Sequence, residues 1–133
     1  MYKRQGTTLN SGNVDQLGTI AIGHSALTAL TTGSGNTAIG YQSGLALTAG
    51  INNTILGYGA LDAATTQADD NVAIGLNAMG GSIGTEDVDD CVAIGSGALV
   101  GALEEEASGT VAIGYGAGAV SYTHLTLPTI YSV

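Results

Sequence analysis

The stretch N-T-A-I-G-Y-Q-S-G at 36–44 decides how this chain is read, because the chain writes it again and again. N-T-I-L-G-Y-G-A-L follows at 53–61, N-V-A-I-G-L-N-A-M at 71–79, C-V-A-I-G-S-G-A-L at 91–99 and T-V-A-I-G-Y-G-A-G at 110–118. An earlier copy, T-I-A-I-G-H-S-A-L, stands at 19–27. Aligned on the glycine that closes each A-I-G (Gly23, Gly40, Gly57, Gly75, Gly95 and Gly114), the spacings are 17, 17, 18, 20 and 19 residues. A word recurring at such a period marks a repeat architecture. All variation in length falls between the nonamers, so the nonamer is the structural unit and the intervening residues read as a tolerant loop.

The slots within the nonamer carry the local structure. Three before the glycine stand Ile20, Thr37, Thr54, Val72, Val92 and Val111; one before it stand Ile22, Ile39, Leu56, Ile74, Ile94 and Ile113. Two residues apart on a strand means one shared face, and the β-branched content favours strand. The slot between them holds Ala21, Ala38, Ile55, Ala73, Ala93 and Ala112 and faces the other way. With both faces apolar, the strand is expected to be covered on both sides. After the glycine turn come two variable residues, a small residue, and then Leu27, Leu61, Met79 or Leu99, which predicts a second short strand with an apolar side chain turned inward. The chain is therefore expected to be all-β, a parallel β-roll or β-solenoid of six short coils at a period of 17–20. Coils stacked at about 4.8 Å make a rod of roughly 25 to 30 Å. Asn36, Asn53 and Asn71 share one slot, and stacked Asn side chains hydrogen-bond along such a rod. Each coil buries its side chains only against its neighbours, so both ends need caps.

Composition agrees. The 133 residues suffice for one domain or one stack of repeats, and the chain has six Tyr, no Phe and no Trp. Its Ala, Ile, Leu and Val suit thin, closely packed layers. Twenty-two Gly with one Pro is not collagen, because Gly does not fall at every third residue. The formal charge is −9, and Lys3 and Arg4 are the only basic residues, so nucleic acid and anionic membranes would be repelled. One cysteine, Cys91, excludes an intrachain disulfide framework; it fills a slot held elsewhere by Asn or Thr and reads as a small substitution rather than a reactive thiol. No signal peptide and no stretch long enough to cross a bilayer is visible, which is also the pattern of an internal piece of a longer exported protein.

The two ends depart from the repeat. M-Y-K-R-Q at 1–5 and V-S-Y-T-H-L-T-L-P-T-I-Y-S-V at 120–133 resemble translated sequencing-adapter read-through, the second more specifically; a genuine final strand is the alternative for T-H-L-T-L-P-T-I-Y-S-V. Residues 6–18 are then a lead-in and 19–119 the repeat itself. On that reading the true segment carries no positive side chain.

Candidate sites are few. Acids gather between nonamers: Asp62, Asp69 and Asp70; E-D-V-D-D at 86–90; Glu104, Glu105 and Glu106. Clustered carboxylates suit calcium, but the spacing matches neither an EF-hand nor a glycine-rich nonapeptide repeat, and a solvated edge that keeps an apolar rod soluble is the simpler expectation. No metal and no cofactor is therefore expected. His24 fills the slot held elsewhere by Tyr41, Tyr58 and Tyr115, so it is expected at the surface, and those rings could form a contact stripe for a glycan or receptor. No acid–base pair, nucleophile–base order or phosphate-cradling loop is visible, so no enzyme is expected.

The words N-T-A-I-G-Y-Q-S-G, N-V-A-I-G-L-N-A-M and T-V-A-I-G-Y-G-A-G resemble the head repeats of trimeric autotransporter adhesins of the YadA type and similar repeats in bacteriophage tail fibres, over about residues 19–118. The resemblance implies a left-handed parallel β-roll assembled as a homotrimer. It implies a cell-surface or virion location and attachment to a host receptor, a glycan or the extracellular matrix. On this reading the Ile and Val face fills the interior of the roll and the Ala face meets a neighbouring chain. The period exceeds the family's usual one of about 14, which implies longer outward loops. Two other readings stay open. I-G-H-S-A-L resembles single words of hexapeptide-repeat acyltransferases, although the six-residue period lapses between nonamers and only His24 could serve as base. An antifreeze-type solenoid would need a regular Thr array, and Thr37 and Thr54 give way to Val in later coils.

Overall fold

A computed structural model describes residues 17–64, 68–81, 88–101 and 108–119. Residues 1–5 and 120–133, expected from sequence to be read-through, most of the 6–18 lead-in and Glu104 to Glu106 lie outside the described residues. Within them the chain is all-β. Six three-residue strands, β1 Ile20–Ile22, β2 Thr37–Ile39, β3 Thr54–Leu56, β4 Val72–Ile74, β5 Val92–Ile94 and β6 Val111–Ile113, form one sheet in the order β1-β2-β3-β4-β5-β6. Every neighbouring pair is parallel and in register, slot on slot: Ile20 beside Thr37, Thr37 beside Thr54, and so on to Val92 beside Val111. Parallel neighbours joined by one circuit of chain make a β-solenoid, one strand per coil.

The sharp features of each coil are its left-handed residues. One corner sits two residues before the strand, at Gly18, Gly35, Asn52, Asp70, Asp90 and Gly109, with φ between 56° and 76°. Only Gly, Asn and Asp occupy it, the residue types that tolerate this region most readily. Two more follow each strand. Ser25, Gln42, Gly59, Asn77, Gly97 and Gly116 form the first, and Leu27, Gly44, Leu61, Met79, Leu99 and Gly118 the second, with φ from 49° to 66° across both. The expected second strand is therefore replaced by a turn. It still bonds coil to coil, Leu61 N–H to Ala78 C=O at 2.9 Å and Met79 N–H to Ala98 C=O at 2.8 Å, but alternating left-handed residues prevent an extended backbone.

The core lies opposite to expectation. Ala38, Ile55, Ala73 and Ala93 are fully buried, while Ile22 is 55%, Leu56 43% and Ile113 66% exposed. The Ala slot faces the interior; the Ile and Val slots face out. The interior is narrow, and side chains from the far wall already fill it: Leu27, Leu61, Met79 and Leu99 from the turn, Leu30, Leu47 and Val88 from the connecting segments. Only a methyl group fits between these and the strand backbone. The connecting segments are thus partly core rather than wholly loop.

One coil departs from the pattern and is compensated by its neighbour. Ile55 stands in the Ala slot of β3, and Gly44 stands in the Leu slot of the coil before it. A Cβ at Gly44 would lie 3.0 Å from Ile55 Cδ1 and 2.7 Å from Leu27 Cδ2. The bulk missing from one wall is supplied by the other. Gly44→Leu alone should therefore overfill the core and cost about 1–3 kcal/mol, and Ile55→Ala alone should leave a cavity costing about 2–5 kcal/mol. The double variant restores the word used by the other coils and should lose less than the sum, with a coupling of about 1 kcal/mol or more in urea denaturation. Additive losses would show that the two side chains do not share one space.

Candidate functional site

Three columns of side chains run along the rod, because in-register coils repeat each slot at the strand spacing. The first is buried. Asn36 Nδ2 donates to Gly50 C=O at 2.7 Å, Asn53 Nδ2 to Ala68 C=O at 2.6 Å and Asn71 Nδ2 to Val88 C=O at 2.7 Å. Each Oδ1 accepts the next coil's backbone N–H: Asn36 from Asn53 at 3.0 Å, Asn53 from Asn71 at 3.1 Å and Asn71 from Cys91 at 2.9 Å. Asn53 Nδ2 also reaches Asn36 Oδ1 at 2.9 Å. Every amide thus ties its own coil to the next at two heights.

Cys91 ends this column. Its side chain is fully buried, and its Sγ lies 3.4 Å from Asp89 C=O. Burial pushes the thiol above its ordinary value, hydrogen bonding from the backbone of Thr110 and Gly109 pulls the other way, and the charges of Asp89 and Asp90 add to the rise. A folded value above the unfolded one means the native chain holds this proton more tightly. Its contribution to stability is complete below the ordinary thiol value and is lost as pH rises through the folded one. Such a thiol is a poor nucleophile.

The second column is aromatic and exposed. His24 stacks on Tyr41 with ring centroids 5.4 Å apart, and Tyr41 on Tyr58 at 5.1 Å, both pairs within 13° of parallel. Ser25 Oγ lies 2.9 Å from His24 Nδ1. Leu76 and Ser96 interrupt the stack, and Tyr115 beyond them is 91% exposed. Because both faces of Tyr41 are taken by its neighbours, the stack offers ring edges and phenolic hydroxyls to solvent rather than open faces.

The third column is the outward apolar one on the strands. Ile20, Ile39, Leu56, Val111 and Ile113 are all more than a third exposed. No acid stands on it. Asp69, Asp70, Asp89 and Asp90 sit at the corners before the strands instead. Asp69 Oδ1 accepts from Ile51 N–H at 2.9 Å, Asp89 Oδ1 from Asp69 N–H at 2.8 Å and Asp70 Oδ1 from Asn52 Nδ2 at 3.0 Å. Their oxygens brace turns, and no group of three or more His, Cys, Asp or Glu able to hold a metal occurs among the described residues. Burial raises the Asp62 carboxyl above its ordinary range, with a hydrogen bond from its own backbone N–H opposing.

The glycines named from sequence close each strand with φ from 127° to 141°. A Cβ on Gly23, Gly40, Gly57 or Gly95 would run into the next coil's glycine carbonyl, and one on Gly75 would lie 2.6 Å from Gly95 C and O. Their N–H groups also bond back, as Gly57 does to Ile39 C=O at 2.9 Å. Ile22, Ile39, Leu56, Ile74, Ile94 and Ile113, expected inside, form the outward column instead. Sequence reasoning missed Leu30, Leu47 and Val88 as core; the available signal was their apolar character, Leu30 and Leu47 amid Ala, Thr and Gly and Val88 inside the acidic run E-D-V-D-D.

Among known proteins the chain matches no family model, no curated protein and no solved structure. The arrangement defines a β-solenoid with one apolar flank, one aromatic stripe and acidic corners.

Proposed function

We propose that this chain is a structural and adhesive fibre segment: the head of a surface adhesin or phage tail fibre, built from three copies of itself. One observation supports this above others. The outward strand face, Ile, Leu and Val apart from Thr37 and Thr54, is uncharged over all six coils, on a rod whose acids lie elsewhere. Apolar faces of that extent on a soluble surface mark an interaction site. Covering a half-exposed Ile is worth about 1 kcal/mol, and six coils repeat that gain. A second copy suits the face because it carries the same column at the same spacing and, like the first, holds its negative charge at the corners. The resemblance of the repeated words to adhesin and tail-fibre heads implies the number of chains, the left-handed winding and a place on a cell surface or virion. With the Ile face inside the assembly, the aromatic stripe and the corners stay outside, where many weak contacts to a glycan, receptor or matrix add up through multivalency.

Sedimentation equilibrium of the full chain tests this reading. Three chains per particle are expected, and Ile74→Asp with Ile94→Asp should give single chains whose circular dichroism is unchanged, since both side chains point outward. A folded parent that sediments as one chain would sink the proposal. Assembled particles should then be offered immobilised glycans and matrix proteins, with Tyr41→Ser and Tyr58→Ser as the variants expected to weaken retention.

A further inference from the structure

The outward face is nearly featureless along its length, which raises the question of how two copies would find one axial register. The layers of β1, β4, β5 and β6 present Ile or Val beside Ile, so sliding one rod past another by a coil would exchange near-identical surfaces. Only β2 and β3 differ. Thr37 and Thr54 occupy the outer slot of adjacent coils, paired in register, with Thr37 partly exposed and Thr54 exposed. No hydrogen bond within the chain engages either hydroxyl among the described contacts, and both point to the face where a second copy would lie.

We propose that Thr37 and Thr54 set the axial register between copies of this chain; the inference rests on the self-assembly reading above. In register, threonine layers meet threonine layers and hydroxyls pair across the interface. Displaced by one coil, a hydroxyl is buried against Ile or Val with no partner, and a buried unpaired polar group is costly where a paired one is not. A single polar layer in an apolar seam fixes register in the same way when Asn is placed in a coiled coil. The aromatic stripe cannot do this from outside the interface, and the corner acids Asp69, Asp70, Asp89 and Asp90 stand off the strand face.

The test measures distances between copies. In a Cys91→Thr background, Thr28→Cys places a nitroxide on an exposed turn away from the strands. Pulsed electron resonance on the full-length assembly should show one narrow inter-copy distance. Thr37→Val with Thr54→Val should keep the assembly but broaden or split that distribution, the in-register share falling to roughly half or less as slipped pairings become equivalent. Adding Val72→Thr and Val92→Thr should restore one narrow peak, because the polar layers are back, now on β4 and β5. A valine variant that assembles with its single narrow distance intact overturns the register proposal and leaves self-assembly standing. A parent chain with no inter-copy distance overturns both.

Discussion

Gly57→Ala is expected to abolish cooperative folding of the coil it belongs to, while the same change at Gly114 is expected only to weaken the end of the rod. At Gly57 φ is +137°, and an added Cβ would meet the carbonyl of Gly75 in the next coil. Two costs combine there. The backbone region is close to glycine-only, at about 1–3 kcal/mol for another residue. The clash is with backbone rather than a flexible side chain, so relief requires moving the coils apart and lengthening their hydrogen bonds. Together they should exceed about 3 kcal/mol, a large fraction of the stability of a domain this size. At Gly114 φ is +127°, but a Cβ would meet nothing within 4 Å, so the strain term acts alone. Thermal unfolding by circular dichroism should show Gly57→Ala lowered far more than Gly114→Ala. Equal losses would mean that conformational strain, not close approach of coils, dictates the glycine.

Asn53→Ala is expected to cost about 2–6 kcal/mol, more than the loss of one ordinary polar side chain. The amide serves two buried groups that have no water to turn to: it donates to Ala68 C=O and accepts from Asn71 N–H. Each group left unsatisfied costs about 1–3 kcal/mol. Asn53→Asp should be comparably damaging at neutral pH, because it loses the donor to Ala68 and places a charge in a fully buried slot. Asn52→Ala is the control. Its side chain is exposed and bonds only to Asp70, so the loss should come mainly from putting Ala at φ 56°. Urea unfolding of the three variants decides the matter. A small loss for Asn53→Ala would show that the column is ornament to a rod held by its backbone ladder.

Much of this architecture is legible in the residues. The words I-A-I, T-A-I, T-I-L and V-A-I before glycine place all six strands, because a β-branched residue three before a closing glycine recurs in every copy. Asn36, Asn53 and Asn71 announce a column since a polar residue in one slot of an apolar repeat needs partners above and below. What the sequence hides is direction. Ile39 and Ala38 are both apolar, and bulk suggests the larger goes inside; the interior holds the smaller because Leu47 and Leu61 reach it from the opposite wall. That wall is hard to see in advance because its residues adopt a conformation rare for them. Leu61 and Leu99 sit at φ 49° and 51°, a strain tolerated because it turns their side chains into the core. The aromatic stripe is visible as a slot shared by His24, Tyr41 and Tyr58, but its stacking depends on the spacing between coils.

The direction of the hydrogen bonds has a mechanical consequence. The bonds between strands run along the rod, from Thr37 N–H to Asn53 C=O and from Gly57 N–H to Ile39 C=O, with the covalent chain circling across them. A pull along the axis therefore loads a few non-covalent bonds at a time rather than the polymer. Coils should detach singly from an end, each releasing 17 to 20 residues, roughly 55 to 65 Å of contour length in place of one strand spacing. Such a rod lengthens in steps under tension and recoils one turn at a time when the tension falls.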